Sequence, residues 1–212
     1  MPLPTPTLLP IPPGTINLAD YERHAQGRMD ANAWAYFSGG AGDEATLHAN
    51  ASAWQQIHLA PRVLRPLAHG HTRTQLLGQT LAHPILAAPM AFQCMAQESG
   101  EIGMAYACAA MGAGLVVATQ ASLPIDAIAA SYFQDAAHGP LWYQLYLQHD
   151  RGFNAELVRR LEAAGYQALV VTVDAPVSGV RDRERHARFK RPAHVRAVNL
   201  EGLPKVSPVA LT

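Results

Sequence analysis

The chain has 212 residues, of which 49% are hydrophobic, and its 16 Lys and Arg residues balance its 16 Asp and Glu residues. A chain of this size can bury one sizeable core. Its formal net charge is zero, so the chain has no overall positive field that would attract nucleic acid. It also has no acidic tail of the kind that stays disordered. The two cysteines, Cys94 and Cys108, argue against a disulfide framework and favour a reducing cytoplasm.

The N-terminal residues resemble neither a signal peptide nor a membrane anchor. No charged segment precedes an apolar one, and the longest apolar runs fall short of the about 18–20 residues that cross a bilayer. Six prolines lie within residues 2–13. We therefore expect residues 1–15 to form an extended, disordered leader and residues 16–212 to form one domain.

Helices are predicted in the first part of this domain. Asn17 can open the first helix, a second is expected over Ala31–Phe37, and the run Ser38–Gly42 would end it. Asp43 is the predicted N-cap of a third helix. Residues 75–81 are typical of two short strands in a hairpin, which could plug one end of a barrel.

From Pro84 onward, strands and helices alternate. Strands are predicted at 85–88, 115–119, 141–147 and 168–173, and helices near 98–111, 124–132 and 152–164. Continuous apolar runs are typical of parallel strands that are buried on both faces. The pattern favours a (β/α)8 TIM barrel, of which the chain holds about four βα units. A doubly wound sheet is the alternative, although its Gly-rich phosphate loop is missing after the first strand.

Several other chemistries have no support in the sequence. The ten histidines include no HxxxH spacing and the two cysteines form no CxxC pair, so no metal site is predicted. Neither a GxSxG motif nor a P-loop is present. Cys94 is interpreted as a small buried thiol of the core rather than as a nucleophile.

Five short segments carry the strongest functional signal. They are Tyr36–Glu44, Ala87–Ala91, Tyr143–Tyr146, Thr172–Pro176 and Ser178–Arg183. In this order and at these spacings the set resembles the FMN-dependent α-hydroxy-acid oxidases and dehydrogenases, the TIM-barrel flavoprotein family of glycolate oxidase and L-lactate oxidase. The resemblance extends over about residues 16–202, and its last segment is most similar to the bacterial lactate-oxidase branch.

The resemblance implies that FMN is the cofactor and that six residues bind it. These are Pro89, Met90, Ala91, Ala118, Gln144 and Thr172. The first three would lie against one face of the flavin ring, where Met90 replaces a smaller or polar residue. The Gln144 amide and the Thr172 hydroxyl suit the donors and acceptors of the pyrimidine edge of the flavin. Ala118 occupies a position where some relatives have a hydroxyl.

The resemblance also implies that Tyr36, Tyr146 and Arg181 bind the substrate carboxylate or line the substrate pocket. A guanidinium is well suited to a carboxylate because it donates two parallel hydrogen bonds. Without the resemblance, Tyr36 could be an ordinary core aromatic and Arg181 part of a solvated charged face. Arg183 is assigned to that solvated face.

The family places its catalytic histidine and its FMN-phosphate site in the second half of the barrel, so no catalytic residue is assigned in this chain. We expect an intact enzyme that oxidises an L-2-hydroxy acid such as lactate or glycolate to the 2-oxo acid, with oxygen as the electron acceptor. It would be a cytoplasmic homo-oligomer without nucleic-acid or membrane partners, and the 212-residue chain alone would be inactive. The alternative is a truncated, non-catalytic half-barrel or a partner-dependent subunit.

Overall fold

A computed structural model describes residues 10–174 and 178–203. In chain order the elements are α1 (Leu18–Arg28), α2 (Ala31–Ser38), α3 (Ala45–Gln55), β1 (Thr74–Leu76), β2 (Gln79–Leu81), β3 (Leu86–Ala87), α4 (Gly100–Ala110), β4 (Gly114–Val117), α5 (Ile125–Tyr132), β5 (Leu141–Leu145), α6 (Arg151–Ala163), β6 (Ala168–Val171) and α7 (Asp182–His186). Short 3₁₀ turns cover Gln93–Met95 and Val198–Leu200.

These elements divide into two units. The sheet unit comprises residues 72–173 and 193–203, and the helical unit comprises residues 10–71, 174 and 178–192. The single domain over residues 16–212 stays a prediction. Residues 1–9 of the predicted leader, residues 175–177, which include the end of the fourth motif, and residues 204–212 of the predicted domain lie outside the described residues.

Caps define the helix starts of the helical unit. Asn17 caps α1 as predicted, because its side chain accepts a hydrogen bond from Asp20 N while the Asp20 carboxylate accepts one from Asn17 N. The predicted N-cap Asp43 is wrong by one residue. Glu44 occupies that position in the left-handed region, with a φ of 63°, and its Oε1 accepts from Gly40 N at 2.9 Å. The Asp43 side chain instead accepts a hydrogen bond from Ala45 N at 3.2 Å.

The sheet unit contains a parallel sheet in the order β3-β4-β5-β6. All four predicted strands are confirmed, although each is shorter than expected. Helices α4, α5 and α6 cover one face, where a buried cluster includes Leu115, Val117, Leu141, Tyr143, Leu145, Ile125, Ile128, Leu157 and Leu161. Adjacent residues point to opposite faces of a strand, so Trp142 and Gln144 point away from this cluster.

The predicted hairpin is confirmed. β1 and β2 pair antiparallel around Leu77 and Gly78, which both have positive φ, as a two-residue hairpin turn requires. Gln79 Oε1 accepts a hydrogen bond from Trp142 Nε1 at 3.1 Å. Because Trp142 lies near the start of β5, this bond attaches the hairpin near the amino ends of the parallel strands.

β6 differs from its neighbours in exposure. Every residue of β4 and β5 is buried, whereas Leu169, Val170 and Val171 are 37–46% exposed. Among the described strands β6 pairs with β5 alone, so it is an edge strand with apolar side chains on both faces. None of the described helices combines the length and the apolar character that a membrane crossing needs.

We expect the 212-residue chain to self-associate at micromolar concentration, because an exposed apolar edge strand offers unpaired backbone groups to another chain. The double substitution Leu169→Lys and Val171→Lys should raise the monomeric fraction in light scattering. Met111→Lys, at an exposed apolar residue outside the sheet, is the control and should change little. A wild-type chain that is monomeric and melts cooperatively would contradict this expectation.

Candidate functional site

The carboxyl ends of the parallel strands form one rim of the sheet unit. Residues 88–92 follow β3, residues 118–122 follow β4, Tyr146 follows β5 and Thr172 follows β6. Gln144 is the penultimate residue of β5. The sheet therefore brings all six predicted FMN residues, and Tyr146 of the predicted substrate set, to the edge where parallel α/β folds carry their sites.

Three polar side chains at this rim form one hydrogen-bond network. Thr119 N donates to Gln144 Oε1 at 3.1 Å, and Gln144 Nε2 donates to Thr172 Oγ1 at 2.8 Å. The Thr119 hydroxyl donates to Gln144 O at 2.6 Å and accepts from Tyr146 N at 2.9 Å. Both Thr119 and Gln144 are buried, so these bonds hold the amide in one orientation.

This network determines what the rim offers to a ligand. A backbone N–H must meet an acceptor, so the Gln144 amide oxygen faces Thr119 and its NH₂ group faces Thr172. Among the described residues, neither the second N–H of that NH₂ group nor the Thr172 hydroxyl hydrogen has an acceptor, so both can donate to a ligand. The rim therefore favours a ligand edge that carries carbonyl acceptors.

Thr119 is the residue of this network that sequence reasoning missed. It was included only as the last residue of an apolar run, and nothing in the local pattern marks it as different from a strand threonine. Its partners, Gln144 and Tyr146, lie 25 and 27 residues further along the chain. A hydroxyl residue two positions beyond a buried parallel strand is the one signal that could have identified it.

The segment after β3 presents a surface beside this network. Pro89 and Met90 are exposed, Met90 by 40%, and Ala91 is half-buried. Ala118 and Gln144 are each only 5% exposed, and Ala118, unlike Gln144, has no polar group to offer a ligand. Phe92 adopts a φ of 57°, and its N–H donates to Gln120 O at 3.1 Å.

The helical unit contains a separate pocket of about 680 Å³. Its lining residues are Tyr36, Ser178, Gly179, Val180, Arg181, Glu184, Arg185, Arg188, Phe189 and Lys190. The pocket brings together Tyr36 and Arg181, two of the three residues predicted to bind substrate. Tyr36 stacks on Phe189 with ring centroids 5.2 Å apart. The lining carries four cationic side chains and one carboxylate, which favours an anionic ligand.

The glycine-rich run allows this pocket to form. Gly42, with a φ of 55°, donates its N–H to Val180 O at 2.7 Å. A Cβ atom at Gly39 would lie 2.6 Å from the carbonyl oxygen of Ala35, which is too close for van der Waals contact. Any larger residue at position 39 would therefore require the backbone around Ala35 to move. Arg181 lies beside this run and donates to Gly39 O at 3.4 Å, while half of its side chain remains exposed.

Arg183 is exposed, as expected for a solvated face, and it also has specific partners. Its Nη2 donates to Glu44 Oε2 at 2.6 Å and its Nη1 to Ser38 Oγ at 3.2 Å. The backbone hydrogen bond from Gly40 and then the Arg183 guanidinium hold the pKa of Glu44 below its usual range. Arg183 therefore joins α7 to the loop that precedes α3.

The two cysteines have the environment of structural thiols. Both are free, and burial raises the pKa of Cys108. Burial, followed by the charge of Glu101, raises the pKa of Cys94. A raised pKa keeps the thiol protonated at neutral pH, which disfavours a nucleophilic role.

The parallel βα units with a polar rim define a barrel-type α/β protein, and the predicted fold class is confirmed by comparison with known proteins. The FMN-dependent dehydrogenase family matches residues 25–209, and the chain belongs to that family. The structure of mandelate oxidase with benzoylformic acid superimposes with a TM-score of 0.79 at 36% identity, covering 86% of this chain and 52% of that one.

Curated relatives agree. The L-lactate oxidase of Alicycliphilus denitrificans is 44% identical over 93% of this chain and 53% of its own length. The L-lactate oxidase of a Nostoc species is 42% identical over 87% of this chain and 50% of its own. The rat 2-hydroxyacid oxidase 2 is 35% identical over 90% of this chain and 53% of its own length. The chain thus spans about half the length of these relatives.

The rim fits the cofactor of this family. A flavin ring is flat and amphipathic, with carbonyl groups along its pyrimidine edge. The donors at Gln144 and Thr172 match that edge, and the exposed Pro89 and Met90 provide apolar surface for a ring face. FMN is the cofactor of the family, and these residues suit it.

Removing the Thr119 hydroxyl should destabilise the rim. Thr119→Val preserves shape but leaves Tyr146 N without its acceptor, so the free energy of unfolding should fall by about 1–3 kcal/mol. Thr119→Ser keeps the hydroxyl, so its free energy of unfolding should fall by less. Urea unfolding followed by circular dichroism measures both. Equal stability of Thr119→Val and the wild type would show that the network is not stabilising.

Arg183→Ala should lower the melting temperature by about 2–4 °C at neutral pH, because both guanidinium contacts are lost. Arg183→Lys should lower it by less. Its ammonium keeps the charge near Glu44 but cannot bond both Glu44 and Ser38 as the guanidinium fork does. Arg185→Ala is the control on the same helix, where the ion pair to Asp182 is exposed and 3.8 Å long.

The Arg183 effect should also depend on pH. A folded-state pKa below the ordinary glutamate value of about 4.3 stabilises the protein above that value, and the stabilisation is lost as pH falls through the lowered pKa. The difference in melting temperature between wild type and Arg183→Ala should therefore shrink below about pH 4. A difference that stays constant down to pH 3 would exclude Glu44 as the partner.

Proposed function

We propose that this protein acts in the FMN-dependent oxidation of an L-2-hydroxy acid to the 2-oxo acid, with oxygen as the electron acceptor. The observation that carries the proposal is the oriented Thr119–Gln144–Thr172 network, which presents two donors beside the exposed surface of Pro89 and Met90. The lactate and 2-hydroxyacid oxidases among the relatives support the substrate class.

In this proposal each residue has a binding or orienting role. Gln144 and Thr172 would bond the carbonyl acceptors of the pyrimidine edge, and the segment from Pro89 to Ala91 would support one ring face. Bound FMN supplies a two-electron acceptor for the substrate Cα–H bond. Thr119 does not need to touch the cofactor, because it acts by orienting the Gln144 amide.

The helical unit would supply carboxylate recognition. The Arg181 guanidinium can donate two parallel hydrogen bonds to a carboxylate, and Tyr36 lines the same pocket. The additional cations Arg185, Arg188 and Lys190 would raise the local concentration of an anionic substrate. Tyr146, at the rim of the sheet unit, is the third proposed substrate residue.

The base that removes the substrate hydroxyl proton is proposed to lie outside the 212 residues. His186 ends α7 and His194 follows it, so neither lies at the carboxyl end of a strand. We therefore expect the chain alone to be inactive. The free thiols support a reducing, cytoplasmic location, and assembly of the intact enzyme into a homo-oligomer is part of the proposal.

The cofactor part of the proposal is tested by titrating the 212-residue chain with FMN. We expect quenching of flavin fluorescence and a shift of the visible flavin band. Gln144→Glu replaces a donor by a carboxylate oxygen and should weaken FMN binding by about tenfold or more. Gln134→Glu, an exposed site where the Tyr106 hydroxyl needs only an acceptor, is the matched control. A wild-type chain that leaves the flavin spectrum unchanged would contradict the proposal and favour the non-catalytic alternative.

The substrate part is tested by joining the chain to the portion of the Alicycliphilus L-lactate oxidase that it does not cover. L-Lactate should then produce peroxide, and the chain alone should not. Arg181→Lys should raise KM by about 10- to 100-fold, because a point charge cannot replace the guanidinium fork. Tyr146→Phe should raise KM less. Arg159→Lys, at an exposed position of α6, is the control and should leave KM unchanged. An unaltered KM in Arg181→Lys would remove this residue from the site.

A further inference from the structure

Two rim loops of the sheet unit are fastened to each other. Rim loop 1 (residues 88–92) follows β3, and rim loop 2 (residues 118–122) follows β4. Phe92 N donates to Gln120 O at 3.1 Å, and Cys94 N donates to Ser122 Oγ at 3.3 Å. Rim loop 1 carries the surface proposed for the flavin face, and rim loop 2 carries Thr119. Their spacing therefore determines the shape of the proposed cofactor site.

One buried carboxylate holds both loops. Glu101 lies in the first turn of α4 and is only 2% exposed. Its Oε1 accepts a hydrogen bond from Gln93 N at 3.1 Å and another from Ser122 N at 2.8 Å. The Gln93 side chain in turn donates to Met90 O at 3.4 Å. Through these bonds Glu101 connects the helix to the end of each loop.

The chemistry of this contact suits a carboxylate. Both N–H groups belong to backbone that has left the regular strand pattern, and a buried N–H without an acceptor is costly. A charged oxygen accepts two such bonds more strongly than a neutral one, and the first turn of a helix favours negative charge. Oε2 of Glu101 has no hydrogen-bond partner among the described residues, so the contact depends on Oε1.

We propose that Glu101 is a positioning residue for the flavin site, which holds rim loops 1 and 2 at the separation that the cofactor requires. This inference rests on the proposed function, because the loops matter only if FMN binds there. Glu101 does not itself touch the cofactor in this proposal. It acts through Gln93, which directly follows rim loop 1, and through Ser122, which ends rim loop 2.

Hydrogen exchange of the 212-residue chain tests the structural half of this proposal. In Glu101→Ala, exchange should accelerate about 10- to 100-fold in peptides covering 88–95 and 118–123, because two buried N–H groups lose their acceptor. Glu101→Gln keeps an acceptor oxygen and should restore part of the protection. Ile102→Ala, the neighbouring buried residue of α4, is the control for general loss of packing. Equal acceleration at the two loops in Ile102→Ala and Glu101→Ala would overturn the proposal.

FMN titration of the same variants tests the functional half. Affinity should fall about 10- to 100-fold in Glu101→Ala, recover partly in Glu101→Gln and stay near the wild-type value in Ile102→Ala. If Glu101→Ala loses hydrogen-exchange protection at the two rim loops but binds FMN with unchanged affinity, the positioning role is overturned while the proposed function stands. A wild-type chain that does not bind FMN would overturn both.

Discussion

Backbone N–H groups at the ends of the parallel strands must find acceptors, and the candidate site is built around that constraint. Where the strands end, the regular ladder no longer supplies partners. Gln144 accepts from Thr119 N, Thr119 accepts from Tyr146 N, and Glu101 accepts from Gln93 N and Ser122 N. These side chains hold the rim in one conformation before any ligand arrives, which lowers the entropic cost of binding.

The same constraint gives the rim its chemical character. Because the Gln144 oxygen bonds a backbone N–H, the residue turns its NH₂ group toward Thr172, whose hydroxyl accepts that bond and can itself donate. In the helical unit, a glycine-rich run approaches residues 178–183 closely, so that Arg181 and Tyr36 line one cationic pocket. Within the sheet unit these contacts suit the rim to a flat, carbonyl-bearing ring, and within the helical unit they suit the pocket to an anion.

The sequence predicted much of this architecture because the relevant signals are local. Apolar runs located the four parallel strands, Asn17 located the first helix, and residues 75–81 indicated the hairpin. Predicted strand ends were too late by about two residues, since Tyr146 and Thr172 also suit strands by propensity. Their side chains or backbone groups instead bond neighbours at the rim.

What the sequence could not predict depends on distant partners. Asp43 is the better N-cap by residue type, whereas Glu44 takes that position with an ion pair to Arg183 far along the chain. Arg183 is 139 residues from Glu44, so nothing in its charged segment distinguishes it from Arg185. Thr119 and Glu101 were missed for the same reason, because their function is to satisfy backbone groups elsewhere in the chain.

In the proposed function, Gln144 faces the cofactor with its amide N–H while its oxygen stays bonded to Thr119. Nuclear magnetic resonance of the 212-residue chain during an FMN titration measures both groups directly. We expect the Gln144 side-chain NH₂ resonances to shift with FMN, while Thr119 N–H remains protected from exchange. Unmoved Gln144 resonances, or a Thr119 N–H that exchanges freely, would contradict this expectation.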